Sequence, residues 1–164
     1  MKLIAAVDNK WNIGNNGGLL FSIPTDMKFF RETTSGKVVV MGRKTLDSFP
    51  GGKALKNRVN IVLTRDPDFA RENVTVCSGV EQTLELLRQY DSDDVYIIGG
   101  ESVYKAFLPY CDCALITHVD TVAPKADKTF PDLSKLDEWS LSQSSECIEE
   151  NGLSFKFCTY VKCK

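Results

Sequence analysis

The segment Val95-Tyr96-Ile97-Ile98-Gly99-Gly100-Glu101-Ser102-Val103-Tyr104 holds the pattern that decides the fold. An unbroken apolar and aromatic run reads as a strand covered on both faces. Two glycines follow, and a helix-compatible stretch starts at Glu101. A buried strand that turns through Gly-Gly into a helix is the repeating unit of a parallel α/β sheet. Working outward, residues 3–7, 37–41, 59–63, 74–77 and 114–117 carry the same short Val/Ile-rich character and read as further strands. Residues 25–33, 80–90 and 101–108 read as helices; Val80, Leu84 and Leu87 fall on one stripe. The last part differs. Asn151-Gly152 is a two-residue hairpin signal, with Leu153, Phe155, Phe157, Thr159 and Val161 alternating behind it and residues 140–148 as the partner strand. The expected fold class is α/β: one domain over residues 1–164, with a mixed, mainly parallel central sheet flanked by helices and a C-terminal antiparallel hairpin.

Composition narrows the functional classes. The chain has 164 residues, 43% hydrophobic and 26% charged, which suits one globular domain. Lys and Arg number 20 against 22 Asp and Glu, so there is no basic surplus for gripping a nucleic-acid backbone. The apolar run at residues 3–7 closes at Asp8, too short for a signal segment or a membrane span. A cytoplasmic protein that binds neither membrane nor nucleic acid is expected. Six cysteines (77, 111, 113, 147, 158 and 163) form no C-x-x-C pair, and His118 is the sole histidine. This argues against a structural zinc site or a disulfide framework, and for reduced thiols, with Cys158 and Cys163 partly exposed. No metal is expected.

In open α/β sheets ligands bind beyond the carboxyl ends of the strands. After the first strand comes a long stretch, residues 8–24, containing Gly14, Gly17 and Gly18. It reads as a surface loop or as a lid over a ligand. Pro24 then starts a helix, with Asp26 in its first turn and Phe30 on the same face. Asp26 is either a dipole-complementing acid or a carboxylate enclosed by Ile4, Phe21, Met27 and Phe30; in the second case burial raises its pKa. Gly42-Arg43-Lys44-Thr45 at a strand-to-helix turn suits a phosphate, or is a solvated basic turn. Leu63-Thr64-Arg65 ends the next strand and offers a hydroxyl and a guanidinium to a second phosphate. Gly99-Gly100 is either a tight strand-to-helix turn or a close approach of backbone to a pyrophosphate; neither G-x-G-x-x-G nor a P-loop is present. Arg58 is a surface charge or a fork for a carboxylate beside Leu55. No G-x-S-x-G elbow supports hydrolase chemistry.

Taken in order, these segments resemble the dihydrofolate reductase family over nearly the whole chain. The resemblance rests on Leu3-Ile4-Ala5-Ala6, Ile13-Gly14, Ile23-Pro24-Thr25-Asp26-Met27 with Phe30, Val40-Met41-Gly42-Arg43-Lys44-Thr45, the strand from Arg58 to Arg65, Ile98-Gly99-Gly100 with Val103-Tyr104, Leu115-Ile116-Thr117-His118, and Asp127-Lys128-Thr129-Phe130-Pro131. It implies NADPH-dependent reduction of 7,8-dihydrofolate to tetrahydrofolate, supplying one-carbon metabolism, with antifolates as expected inhibitors. By resemblance Asp26 is the pterin-binding acid and Thr117 bonds it or a linking water. Ile4 and Ala6 line the pterin site. Met27, Phe30, Phe49 and Leu55 surround the p-aminobenzoyl ring, and Arg58 takes the glutamate carboxylate. The cofactor set implied is Ala6, Ile13, Gly14, Gly42, Arg43, Lys44, Thr45, Leu63, Thr64, Arg65, Ile98, Gly99, Gly100, Glu101, Ser102, Val103 and Tyr104. Gly99 and Gly100 match a pair joined by a cis peptide, and residues 9–23 match a mobile active-site loop.

The family usually has Trp at the position of Phe21, so a water held by an indole N–H must be held otherwise or lost. Gly17 and Gly18 suggest added loop mobility. A pyrimidine reductase of riboflavin synthesis would keep the cofactor segments without needing Asp26, Phe30 and Arg58 together. A non-catalytic nucleotide- or folate-binding module would bind without consuming NADPH. Nothing in the chain calls for an oligomer, so a monomer is expected.

Overall fold

Alternating apolar residues along the central strands feed two separate cores, one on each face of a sheet. Leu3, Val38, Val40, Ile61 and Ile97 point to one; Ile4, Val39, Met41, Val62 and Ile98 point to the other. The computed structural model describes residues 1–15 and 18–163. In chain order the strands are β1 (Lys2–Val7), β2 (Asn12–Asn15), β3 (Gly18–Leu19), β4 (Val38–Gly42), β5 (Val59–Leu63), β6 (Val74–Cys77), β7 (Val95–Gly99), β8 (Cys113–Val119), β9 (Lys128–Thr129), β10 (Trp139–Ser144), β11 (Ile148–Glu150) and β12 (Leu153–Lys162). The helices are α1 (Pro24–Thr34), α2 (Arg43–Asp47), α3 (Val80–Leu87) and α4 (Glu101–Phe107).

Among the described residues the main sheet runs β10-β12-β8-β1-β7-β4-β5-β6, with β11 also on β12. Strands β8, β1, β7, β4, β5 and β6 are parallel, and β12 closes the sheet antiparallel to β8. This is the expected mixed, mainly parallel architecture. The expected strands and helices are present, with ends moved by a few residues. The helix starting at Val80 stops at Leu87, three residues early, and Tyr90 N–H donates to the Leu87 carbonyl in the turn that follows.

The hairpin forms where Asn151-Gly152 foretells it. Both residues take positive φ, 53° and 79°, and Glu150 pairs with Leu153 across the two-residue loop. Its partner is not one continuous strand over 140–148, as the alternation suggests. It splits into β10 and β11. The register slips between Leu141 and Gln143, and Ser145 Oγ accepts the Phe157 N–H at 2.9 Å where a ladder carbonyl would stand.

The stretch after β1 is more ordered than its polar sequence suggests. β2 pairs with β3 and with β9, forming a small second sheet. Gly17 lies outside the described residues. Trp11, in left-handed conformation at φ 60°, is buried beside His118, Phe130 and Tyr160. Asp8 organises this corner from full burial. Its Oδ1 accepts the N–H groups of Lys10 and Asn12, each at 2.9 Å. Its Oδ2 accepts Asn12 Nδ2 at 2.8 Å and Ala123 N–H at 2.9 Å. All six cysteines are free thiols; Cys158 is buried rather than partly exposed, and Cys163 is exposed. No helix among the described residues is long and apolar enough to cross a membrane.

Burial pushes the Asp8 carboxyl up, but the bonds from Ala123, Asn12 and Lys10 together outweigh it and hold it below the usual 3.8. Its contribution to stability is therefore complete above that value and is lost as the pH falls below it. Asp8→Ala should destabilise the fold by about 2–3 kcal/mol at pH 7, by leaving buried donors unpaired. Urea denaturation at pH 7 and at pH 3 should show the deficit shrinking in acid.

Candidate active site

Parallel strands bring their carboxyl ends to one edge, and two sets of side chains meet there. The first set surrounds Asp26. Pro24 starts α1 with its fixed φ, which places Asp26 in the first turn. The helix packs Phe29 and Phe30 against the core that holds Ile4, Met41 and Ile98; Phe49, Leu55 and Leu115 pack there as well. Thr117, buried on β8, donates its hydroxyl to Asp26 Oδ1 at 2.6 Å. Ala6 is the register partner of Thr117, so β1 and β8 present Ile4, Ala6 and Thr117 side by side. Tyr104 is buried beneath, and its hydroxyl donates to the Ile4 carbonyl at 2.6 Å.

Burial pushes the Asp26 carboxyl above its usual 3.8, while the Thr117 hydroxyl pulls it back by stabilising the charged form. Desolvation wins, as expected for an enclosed carboxylate. Burial likewise pushes the Tyr104 phenol up, with a further contribution from the Asp26 charge. Tyr104 therefore stays a neutral donor.

Two members of the expected wall do not join the core around Asp26. Met27 is 52% exposed and joins neither core. Phe21 packs with Ile23, Val119 and Phe155 in a separate cluster under the hairpin. Arg58 is half-buried at the far end of α1, where its guanidinium donates to the Thr34 hydroxyl at 3.1 Å and to the Lys56 carbonyl at 2.9 Å. Burial, and then the charge of Arg31, lower its pKa. Arg31 was not singled out from sequence, because a cation in a helix's last turn reads as dipole complement. Two cations in mutual repulsion are a ready-made site for an anion.

The second set lies at the ends of β7, β4 and β5, which are neighbours in the sheet. Met41 is in register with Gly99 and Gly42 with Leu63. Ile98, Gly99, Gly100, Gly42 and Leu63 are thereby collected in one row, followed by Glu101–Tyr104, Arg43–Thr45 and Thr64–Arg65. The Gly99-Gly100 peptide is cis. A Cβ on Gly99, which takes φ 119°, would lie 3.1 Å from the Tyr104 ring, closer than an ordinary contact, whereas one on Gly42 would meet Val103 at an ordinary 3.4 Å. Neither Gly42 nor Gly100 can cap the helix it precedes, which leaves backbone donors at this edge. Arg43, Lys44 and Arg65 are exposed around it. Arg43 is already engaged: Nη1 lies 3.0 Å from Asp66 Oδ2, Nε 3.7 Å from Asp47 Oδ2, and the guanidinium 4.6 Å from the Phe69 ring centroid. Sequence reading missed both acids: Asp47 lies one turn along α2, four residues from Arg43, and Asp66 is brought in from the end of β5 by the pairing of β4 with β5. Glu101 accepts from Lys105 at 3.1 Å and from Thr129 at 2.9 Å, tying α4 to β9. β9 in turn pairs with β2, which carries Ile13 and Gly14. A row of backbone donors and cations beside a half-buried acid fits a dinucleotide lying next to a small heterocycle.

Comparison with known proteins agrees with this geometry. A family model described as dihydrofolate reductase matches residues 1–162. The chain is 37% identical over 182 aligned positions to bifunctional dihydrofolate reductase-thymidylate synthase 1 of Arabidopsis thaliana, covering 99% of this chain and 34% of that one. The chain thus spans about a third of the plant bifunctional relatives it matches. It is 31% identical to dihydrofolate reductase of Bacillus subtilis, covering 99% of this chain and 94% of the relative. A solved structure of dihydrofolate reductase from Enterococcus faecalis, complexed with NADP(H) and RAB-propyl, superposes with a TM-score of 0.89 at 31% identity, covering 99% and 96% of the two chains.

Because the folded value of Asp26 lies above the unfolded one, its ionised form costs stability as the pH rises. Asp26→Asn should be more stable than the wild type at pH 7, with the difference disappearing as the pH falls below 3.8. Thr117→Val should raise the Asp26 value further, read by NMR titration of the labelled carboxyl carbon.

Proposed function

Since the chain belongs to the dihydrofolate reductase family, we propose that it reduces 7,8-dihydrofolate to 5,6,7,8-tetrahydrofolate with NADPH, as one domain over residues 1–164 acting as a monomer. The observation that carries this reading is the half-buried Asp26, braced by Thr117 beside Ile4 and Phe30 at the carboxyl edge of the sheet. A cytoplasmic location belongs to the same reading, since substrate and cofactor are both water-soluble small molecules.

In this assignment Asp26 binds the pterin amino group and a ring nitrogen. Thr117 takes one acceptor site of Oδ1, which leaves the second site of Oδ1 and both of Oδ2 for the amino group and the ring nitrogen. Ile4, Ala6 and Phe30 cover the pterin faces and exclude water. Phe49 and Leu55 hold the p-aminobenzoyl ring, and Arg58, with Arg31 beside it, takes the glutamate carboxylate. Met27 remains at the rim of this site.

The cofactor would be held by Gly42, Thr45, Gly99, Gly100 and the backbone from Glu101 to Tyr104, with Ile13 and Gly14 from the loop. The close packing of Gly99 on Tyr104 fits a backbone that must lie against a flat ring. Arg43, Lys44, Thr64 and Arg65 would bind its phosphates, with Arg43 exchanging Asp66 for the 2′-phosphate. Bound NADPH supplies the hydride that reaches pterin C6. Holding both partners in one cleft removes the entropy of their encounter. N5 must also gain a proton. Asp26, raised by burial, polarises the ring from its far side while a water carries the proton to N5. Phe21, packed under the hairpin and lacking an N–H, leaves the holding of that water to other groups.

The decisive assay is the loss of near-ultraviolet NADPH absorbance on adding dihydrofolate. A protein that binds both without consuming NADPH would be a binding module instead. Asp26→Asn should slow turnover at pH 7 by roughly 10²-fold or more and leave the Kd for NADPH unchanged. Arg43→Ala should bring the kcat/KM for NADPH toward that for NADH; equal preference in the wild type would reject the 2′-phosphate assignment.

A further inference from the structure

Helix α1 presents Asp26 in its first turn, yet that turn lacks a cap of its own. Ile23 precedes it in extended backbone and has no side-chain acceptor, and Pro24 has no N–H. The first available amide is that of Thr25, and it donates to Glu150 Oε1 at 3.0 Å. The Thr25 hydroxyl donates to the other oxygen of the same carboxylate. One side chain thus captures both donors of Thr25 from 125 residues away in sequence. These bonds hold the Glu150 carboxyl below its usual range, so the clamp is ionised in neutral solution.

Glu150 is itself held in place. It ends β11, directly before the Asn151-Gly152 turn, and its register partner is Leu153. Below the clamp, Ile23, Val119 and Phe155 are buried together, with Phe21, Ile148 and Leu153 against them. The start of α1 is therefore fastened to the hairpin tip by a polar clamp above and an apolar floor beneath. The second fastening is the Thr117 bond to Asp26. Thr117 pairs with Phe157 of β12, so both restraints issue from the same strand neighbourhood.

We propose that Glu150 is a positioning residue for the reaction: it caps α1 from the hairpin through Thr25 and thereby sets where the Asp26 carboxylate meets the pterin. This rests on the reading of Asp26 as the pterin-binding acid. Without the clamp the first turn frays, and Asp26 keeps only Thr117 to orient it. A displacement well under an ångström at a binding acid is enough to slow a reaction that depends on alignment. The cofactor row lies on the other side of β1, at β7, β4 and β5, and does not depend on the clamp.

The test compares wild type, Glu150→Gln, Glu150→Ala, Thr25→Val and the Glu150→Ala/Thr25→Val double variant. For each, kcat and KM for dihydrofolate, the Kd for NADPH and Tm are measured. Glu150→Ala should lower kcat/KM for dihydrofolate about tenfold, with the Kd for NADPH unchanged within about twofold. Glu150→Gln should recover most of the loss, because its amide oxygen still accepts the Thr25 N–H. The double variant should be no slower than Glu150→Ala, since both changes break one clamp. Wild-type kcat/KM in Glu150→Ala overturns the proposal, as does a parallel loss of NADPH affinity or strict additivity in the double variant. Should Glu150→Ala not fold, Thr25→Val reads the clamp from its other side, and wild-type kcat/KM there overturns the proposal equally. A wild type that fails to oxidise NADPH with dihydrofolate refutes the proposed function instead, so the two failures are distinct.

Discussion

The Thr117 hydroxyl on Asp26 is the bond around which the rest of the site is arranged. It crosses from the middle of the sheet to the first turn of α1, and it sits where apolar side chains leave a carboxylate few other partners. Burial alone would disfavour the charged form of Asp26 and leave the carboxyl loosely oriented. The hydroxyl opposes part of that penalty and fixes one oxygen, and the other is left for a ligand. The two strands next to β8 then complete the surroundings: β1 brings Ile4 and Ala6, and β12 brings the hairpin that clamps the helix start. A chemical group of tuned proton affinity is thus a product of strand order as much as of local sequence.

The row of glycines and cations at the ends of β7, β4 and β5 obeys a different constraint. Three adjacent parallel strands end together, and glycine at two of these ends lets the backbone approach neighbouring side chains to ordinary contact distance or closer. Charge there is balanced in advance, because Arg43 lies between Asp47 and Asp66 over the Phe69 ring. A guanidinium held in this way is oriented before any anion arrives, and a phosphate must compete with a carboxylate for it. Glu101 extends the arrangement by linking α4, through Thr129, to the strand that pairs with the loop after β1. The loop after β1 is thereby tied to the start of α4.

Much of this was legible in the chain because the signals are local. Unbroken Val and Ile runs marked the parallel strands, Pro24 marked the start of α1, and Asn151-Gly152 marked a turn whose two positive φ angles few other pairs tolerate. For Asp26 the sequence left two readings open, a dipole-complementing acid or an enclosed carboxylate, and the fold favours the second through Ile4, Phe30 and Thr117 rather than Phe21 and Met27. What escaped notice depends on partners distant in sequence. Strands β3 and β9 are two residues each and carry no periodicity. The break between β10 and β11 arises from a serine hydroxyl standing in for a backbone carbonyl. Met27 shares the first turn of α1 with Asp26, yet the helix turns it outward. Glu150 looked like an ordinary hairpin acid until the fold carried Thr25 to it.

The placement of β1 has a consequence for how the chain is made. Lys2 is the register partner of both Tyr96 and Cys113, so the first strand synthesised waits for two of the later ones. Until they emerge, Leu3, Ile4 and Val7 have no sheet to enter, and the loop that must close around them is long. The apolar side chains of β1 therefore stay unpaired until residues 95–119 have been made, and β12 then joins a sheet whose centre is already in place.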